Sequence, residues 1–328
     1  MKCINKWICL SLLIAVSCVS GCGKMSAAIE QPYDVYATAA DFGLSSNGTA
    51  EAKSYFASDL CVSEDVAIGT DSTDSQVAEG AGTFNLETNT VVYAKNLYER
   101  LYPASTTKIL TAYIALKYCD DLDAMVTVSE NAVNQASDSS VCNLKAGDVI
   151  RLRDLLYGLM LRSGNDAAVA IAEYISGDVD SFAALMNQEA AAMGATRSHF
   201  VNPNGLPDEN HYTCVYDMYL IFSNAIKNDT FVSIIGTTSY DVTYTDASGE
   251  AVTHTWENTN QYLTGNATTP DGFQIVGGKT GTTGEAGYCL VLYSYNPSGQ
   301  PIISIVFKAD GKSNLYLLMN EMLQGFAI

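Results

Sequence analysis

Leu101-Tyr102-Pro103-Ala104-Ser105-Thr106-Thr107-Lys108-Ile109-Leu110-Thr111-Ala112-Tyr113-Ile114-Ala115-Leu116 decides how this chain is read. From Ser105 to Tyr118 the residues are apolar nearly all round, where a surface helix would keep a polar face, so a buried helix is expected. Pro103 stands just before it, where a fixed φ suits a helix start. Ser105 and Lys108, at i and i+3, share one helical face within hydrogen-bond reach. A serine hydroxyl is a weak nucleophile until a base takes its proton, and a desolvated lysine of lowered pKa can do so. The helix N-terminus also aims backbone N–H groups at a developing oxyanion. Ser-x-x-Lys by itself equally fits a capping serine beside a surface lysine. The apolar helix behind Lys108 implies burial and favours the chemistry.

Two further motifs lie downstream. Ser163-Gly164-Asn165 falls between two helical patterns and brings a hydroxyl able to pass a proton and an amide able to donate and accept. Alone it reads as a loop with a helix cap. Gly277-Gly278-Lys279-Thr280-Gly281-Thr282 sets a lysine among glycines on a strand, which permits close approach of an extended ligand and offers a cation to a carboxylate. A phosphate loop is excluded, because Phe273 and not glycine stands five residues before Gly278, and a strand follows.

Around these motifs the pattern suggests one domain. Asp65–Gly82 is acidic and turn-rich and reads as a surface loop. Ala81–Asn96 reads as a hairpin turning at Glu87–Thr90. Leu152, Leu155, Leu156, Leu159 and Met160 follow helical spacing, and helical patterns continue at Asp166–Ile175 and Ser181–Met193. Residues 200–213 form a Pro/Asn/Gly-rich loop. After about residue 230 strand signals dominate, with Tyr288–Tyr295 and Ile302–Lys308 flanking the turn Asn296-Pro297-Ser298-Gly299. A helix over about Asn314–Gly325 follows. Helices in the middle and strands at both ends predict a sheet that pairs the two ends.

Composition narrows the function. The 328 residues are 48% hydrophobic and 16% charged, which suits a globular chain. Seventeen Lys and Arg against 36 Asp and Glu give a net charge of −19, without the basic footprint of a nucleic-acid binder. The three histidines, His199, His211 and His254, make no zinc spacing and leave little material for a Ser-His-Asp triad. His199 and His211 read as loop-packing residues. Cys61, Cys119, Cys142, Cys214 and Cys289 are scattered and odd in number, which suits small buried hydrophobes better than a disulfide framework, with one bridged pair left open.

Ser-x-x-Lys, Ser-x-Asn and Lys-Thr-Gly in this order resemble the signature of penicillin-binding proteins and serine β-lactamases. The contexts Leu101–Lys108, Ser163–Ala168, His199–Leu206 and Gly278–Thr283 are similar to the low-molecular-mass D-alanyl-D-alanine carboxypeptidases. The resemblance covers about residue 80 to the end. It implies a β-lactamase/D,D-peptidase-like domain of the α/β (α+β) class, its antiparallel sheet built from both chain ends around a mostly helical middle. It also implies roles. Ser105 attacks the penultimate D-alanine carbonyl of a peptidoglycan stem peptide, Lys108 is the base, and Ser163 relays a proton to the leaving D-alanine. Asn165 holds the substrate amide. Lys279, Thr280, Gly281 and Thr282 form the carboxylate-binding strand, and the N–H groups of Ser105 and Thr282 form the oxyanion hole. β-Lactams would acylate the same serine. No metal or organic cofactor is implied. Lys108 should be neutral at rest, because Lys279 adds positive charge nearby.

The Glu-Pro-x-x-Asn loop of class A β-lactamases is replaced by Asn202-Pro203-Asn204-Gly205, which favours a carboxypeptidase over a β-lactamase. A β-lactam-binding lipoprotein without turnover is the alternative from outside enzymology. At the N-terminus, Lys2 and Lys6 precede an uncharged run from Trp7 to Val19, too short for the ~20 residues of a spanning helix. Val19-Ser20-Gly21-Cys22 resembles a bacterial lipobox. The expectation is a signal peptide at 1–21, a lipidated Cys22 with a tether to residue 54, and a catalytic domain over 55–328 without the family's C-terminal β domain. The protein would sit on the outer face of the cytoplasmic membrane. Ordinary signal cleavage near Ala27 is the competing reading.

Overall fold

The computed structural model describes Ala57 and residues 59–328; the signal pattern, Cys22 and the expected tether lie outside the described residues. In chain order the strands are β1 (Ala78–Asn85), β2 (Thr90–Lys95), β3 (Met125–Thr127), β4 (Val149–Arg151), β5 (Ser239–Thr245), β6 (Ala251–Glu257), β7 (Gln274–Thr283), β8 (Gly287–Tyr295) and β9 (Pro301–Ala309). The helices are α1 (Lys108–Tyr118), α2 (Glu130–Val133), α3 (Leu152–Tyr157), α4 (Asn165–Ser176), α5 (Val179–Ala192), α6 (Val215–Ala225), α7 (Asp229–Ile235) and α8 (Lys312–Phe326).

The main sheet is antiparallel, in the order β2-β1-β9-β8-β7. The expected pairing of the two chain ends is the β1–β9 ladder, Ala78 opposite Ala309 through Asn85 opposite Ile302. Both faces are covered, so its strands alternate between two apolar environments rather than between core and water. On β8, Leu290 and Leu292 pack with Leu315, Leu318, Met319 and Met322 of α8. Cys289, Val291 and Tyr293 point the other way, into the core shared with the middle helices. Burying each of the larger side chains contributes about 1.5–3 kcal/mol. α1 packs against α4, α5 and α6, with seven of its residues buried, Lys108 among them.

The sequence reading needs four corrections. Ala78–Gly82 is strand and not loop: it belongs to β1, whose glycines leave room for Leu101 and Leu97. The helix expected from Ser105 begins at Lys108, because Ala104 adopts φ 46° and the chain then makes a 3-10 turn, Ala104–Thr107. The helix over Leu152–Met160 is α3 only to Tyr157, after which Gly158–Arg162 widens into a π turn. Residues 229–235 are helix and not strand: Asn228 Oδ1 accepts from the N–H of Thr230 and Phe231, and that cap with the burial of Phe231, Ile234 and Ile235 outweighs their strand propensity. The structure adds α6 and a second antiparallel sheet, β3-β4-β5-β6, which the sequence reading did not contain. The five cysteines among the described residues are free, and all but Cys119 are buried.

Candidate active site

The nucleophile turn rests on the edge strand β7. Thr106 donates to Pro103 O through both its N–H (3.2 Å) and its hydroxyl (2.7 Å), which closes the 3-10 turn and leaves Ser105 partly exposed. Gly281 of β7 lies beneath it: a Cβ there would meet Ser105 N at 3.0 Å and Ala104 Cβ at 3.1 Å. A glycine is therefore what lets the strand approach the nucleophile.

Lys108 is fully buried, and its Nζ has three neighbours: Ser105 Oγ at 2.9 Å, Asn165 Oδ1 at 2.8 Å and Asn204 O at 2.7 Å. Two of these accept only. A neutral amine has two N–H bonds and one lone pair, so donation to Asn165 and Asn204 leaves the lone pair facing the Ser105 hydroxyl. Burial pushes the Lys108 pKa well below its ordinary 10.5, and the charge of Lys279 pushes the same way. The geometry and the electrostatics both favour the neutral base expected from the sequence.

Ser163 stands where the π turn meets α4, with φ 61°. The left-handed turn aims its hydroxyl at Lys279, whose Nζ donates to Ser163 Oγ at 3.0 Å and to Thr280 O at 2.9 Å. Lys279 is 1% exposed, and burial lowers its pKa to about 7. It is poised between amine and ammonium near neutral pH, and an arriving carboxylate would hold the proton on. Thr280 shares a hydroxyl hydrogen bond with Thr259 (2.6 Å), and Thr282 Oγ1 donates to Gly281 O (2.8 Å).

A supporting shell fixes these groups. The buried Asp166 carboxylate accepts from the N–H of Cys142 and Leu144, and Asn165 N donates to Ser140 O, which ties the 138–144 loop to the start of α4. The 202–206 loop supplies the Asn204 carbonyl. It is held by Thr111 Oγ1 donating to Pro203 O (2.7 Å) and by Gly205 at φ 88°, packed on the Ala104 carbonyl. His211 is a positioning group: Val201 N–H donates to its Nδ1 (3.1 Å), its Nε2 lies 2.9 Å from Thr107 Oγ1, and burial lowers its pKa to about 4. It stays neutral and braces the nucleophile turn against the loop. His199 packs beside Tyr212 and contacts the Asn210 carbonyl through Nδ1.

Two cavities open on Ser105. One of about 210 Å³ is lined by Ser105, Ser140, Ser163, Thr280, Thr282 and Lys312, among others. The second, of about 390 Å³, lies on the side of Asn165, Asn204 and Gly205. The structure thus brings Ser105, Lys108, Ser163, Asn165, Lys279, Thr280, Gly281 and Thr282 together; Cys22 lies outside the described residues. The sequence reading missed Lys312 and the Asn204 carbonyl. Lys312, on the first turn of α8, carries no local signal, since only the sheet brings it to the site. The Asn204 carbonyl is backbone, which residue type does not reveal.

The sequence pattern of peptidase family S11, D-alanyl-D-alanine carboxypeptidase, matches residues 69–311. The chain belongs to that family. It is 34% identical over 265 residues to a D-alanyl-D-alanine carboxypeptidase of Streptomyces sp. strain K15, covering 76% of this chain and 88% of the relative. Over 251 residues it is 34% identical to the D-alanyl-D-alanine carboxypeptidase DacF of Bacillus subtilis, covering 75% of this chain but 61% of DacF. Its fold resembles the crystal structure of the Streptomyces K15 DD-transpeptidase, with TM-score 0.71 and 33% identity, covering 77% of this chain and 98% of that one. A carboxypeptidase DacD of Francisella tularensis is also similar, with TM-score 0.67 and 28% identity, covering 81% of this chain and 72% of that one. Family S11 enzymes are serine hydrolases, and the antiparallel architecture with its middle helices is the penicillin-binding protein and β-lactamase fold.

Proposed function

We propose that this protein is a serine D,D-carboxypeptidase that removes the terminal D-alanine from peptidoglycan stem peptides. The observation that carries the reading is the Lys108 amine held by two carbonyl acceptors with its third position on Ser105 Oγ. Lys108 takes the hydroxyl proton as Oγ bonds to the penultimate D-alanine carbonyl. The resulting oxyanion lies at the N–H groups of Ser105 and Thr282, both on the walls of the two cavities. Collapse breaks the C–N bond. The leaving D-alanine nitrogen gains a proton through Ser163, which Lys279 orients. Lys279, Thr280 and Thr282 face the terminal carboxylate, and Asn165 faces the substrate backbone. Water then cleaves the ester, and the proton returns to Ser105.

β-Lactams present the same acyl carbonyl and would be trapped on the same serine. In an intact-mass time course with benzylpenicillin, wild type gains one long-lived adduct and Ser105→Ala gains none, while wild type also releases D-alanine from a model peptide. A fleeting adduct with drug consumption would make the protein a β-lactamase. An adduct without D-alanine release would make it a penicillin-binding lipoprotein without turnover. The similar Streptomyces K15 structure is that of a DD-transpeptidase; an added amine acceptor that captures the acyl group here would identify transfer as the competing fate.

The place of action is part of the same reading. The complete signal pattern ahead of Cys22 supports cleavage there, acylation of the cysteine, and residence on the outer face of the cytoplasmic membrane. Metabolic labelling with a fatty acid should mark wild type and leave Cys22→Ser unmarked; equal labelling of the two would refute the anchor.

A further inference from the structure

The strand that carries Lys279 has a partner outside the three sequence motifs. Thr259 Oγ1 lies 2.6 Å from Thr280 Oγ1, and both residues line the cavity of about 210 Å³ beside Ser105. Thr259 follows β6 and is exposed, while its chain neighbours Asn258 and Asn260 are 6% and 0% exposed. The two asparagines fix the turn. Asn258 donates from its backbone N–H to Thr238 O and from Nδ2 to Thr237 O, both at 2.8 Å, and its Oδ1 accepts from Asn260 N–H at 2.9 Å. Asn260 Oδ1 accepts from Tyr262 N–H at 3.2 Å. The backbone is clamped on either side of one side chain that reaches the cavity. Counting protons gives its contact with Thr280 a direction. Each hydroxyl carries one proton, and the contact uses one of the two. A carboxylate only accepts, so one bound at Thr280 takes the Thr280 proton, and the proton between the two oxygens then comes from Thr259. The chain runs from Thr259 to Thr280 to carboxylate, and each hydrogen bond in such a chain strengthens the next.

We propose that Thr259 is a positioning residue for the reaction: by donating to Thr280 Oγ1 it turns the Thr280 proton toward the carboxylate of the ligand. The inference rests on the carboxypeptidase reading in placing a carboxylate at Thr280. It also brings the second sheet into the site, because Thr259 stands just beyond the end of β6. The carboxylate keeps its charge while Ser105 is acylated. Lost positioning therefore weakens ground state and transition state alike, and it shows in KM rather than in kcat.

The test uses Thr259→Val, which keeps the branched shape and removes the hydroxyl, and Thr259→Ser, which keeps the hydroxyl. With Nα,Nε-diacetyl-L-lysyl-D-alanyl-D-alanine, Thr259→Val should raise KM about three- to tenfold with kcat little changed, and Thr259→Ser should recover most of the loss. Benzylpenicillin also carries a carboxylate, so its second-order acylation rate should fall by a similar factor. Its methyl ester, which offers only a neutral acceptor, should lose clearly less, because charge-assisted hydrogen bonds are the stronger ones. In a Thr280→Val background the effect of Thr259→Val should disappear, since the link is already cut. Three results would each overturn the proposal: unchanged KM and acylation in Thr259→Val, an equal loss with the methyl ester, or full additivity with Thr280→Val. The last would put Thr259 on the carboxylate directly. If wild type releases no D-alanine from the peptide, the carboxypeptidase reading fails, and the comparison of benzylpenicillin with its methyl ester still decides the role of Thr259.

Discussion

Lys108→Met should lower the rate of Ser105 acylation by benzylpenicillin by on the order of 10²–10⁴-fold, the usual contribution of a general base. The methionine fills most of the volume but takes no proton. It also leaves the Asn204 carbonyl and Asn165 Oδ1 without the donor they now share, and each buried acceptor left unpaired costs about 1–3 kcal/mol. The melting temperature should fall along with the rate. Lys108→Arg separates the two effects: a guanidinium restores donors but keeps its proton at all working pH values, so acylation stays low while some stability returns. The pH profile gives the sign. Burial and Lys279 lower the Lys108 pKa, so the acid limb of the wild-type rate should report protonation of Lys108, while the alkaline limb should report loss of the Lys279 proton that meets the ligand carboxylate. Stopped-flow acylation between pH 5 and pH 10.5 checks this; a rate climbing steadily toward a lysine near its ordinary 10.5 would refute the neutral base.

Gly205→Ala should be as damaging, by a different route. Gly205 has φ 88°, and a Cβ there would run into the Ala104 carbonyl, which is backbone on a turn braced by β7 and cannot swing away. The left-handed conformation alone costs a non-glycine residue about 1–2 kcal/mol. Displacement of the nucleophile turn adds to it, for a total loss of about 3 kcal/mol or more and a steep loss of acylation, because Asn204 moves away from Lys108. Gly299→Ala is the control: its φ is 81° but nothing lies within 4 Å of its added Cβ. It should cost only the backbone part and leave acylation intact. Thermal melts and adduct formation measured on both variants separate strain from collision.

The site was legible in the sequence because its chemistry sits in short, ordered motifs, while its second shell was not. Ser105 and Lys108 are three residues apart, and that spacing survives the replacement of a helical turn by a 3-10 turn. Asn204, His211 and Lys312 reach the site only through the fold, from a loop and from the last helix. The sheet pairing of the two ends was readable because β8 and β9 flank a strong turn. The second sheet was hidden by strands of three residues, β3 and β4, too short to show alternation. In α6 the helical spacing of Val215, Met218, Tyr219 and Phe222 is present, behind a Cys214 cap whose sulfur accepts from Asp217 N–H. Its β-branched and aromatic residues masked the pattern.

The β1–β9 ladder also makes reactivity depend on a contact between distant parts of the chain. Thr83 and Ser304 share a hydrogen bond across 221 residues of chain. β7, β8 and β9 follow one another and can zip as local hairpins, yet Ser105 comes from the chain just after β2, at the opposite edge of the sheet, and crosses to rest on β7. Nucleophile and carboxylate grip are joined through the β1–β9 ladder, a non-local closure that costs chain entropy. Before that closure forms, Ser105 and Lys108 sit on one piece of the chain and Lys279 on another. Without the ladder the acylating centre is incomplete, so reactivity toward an antibiotic or a peptide depends on a contact between the two ends of the domain.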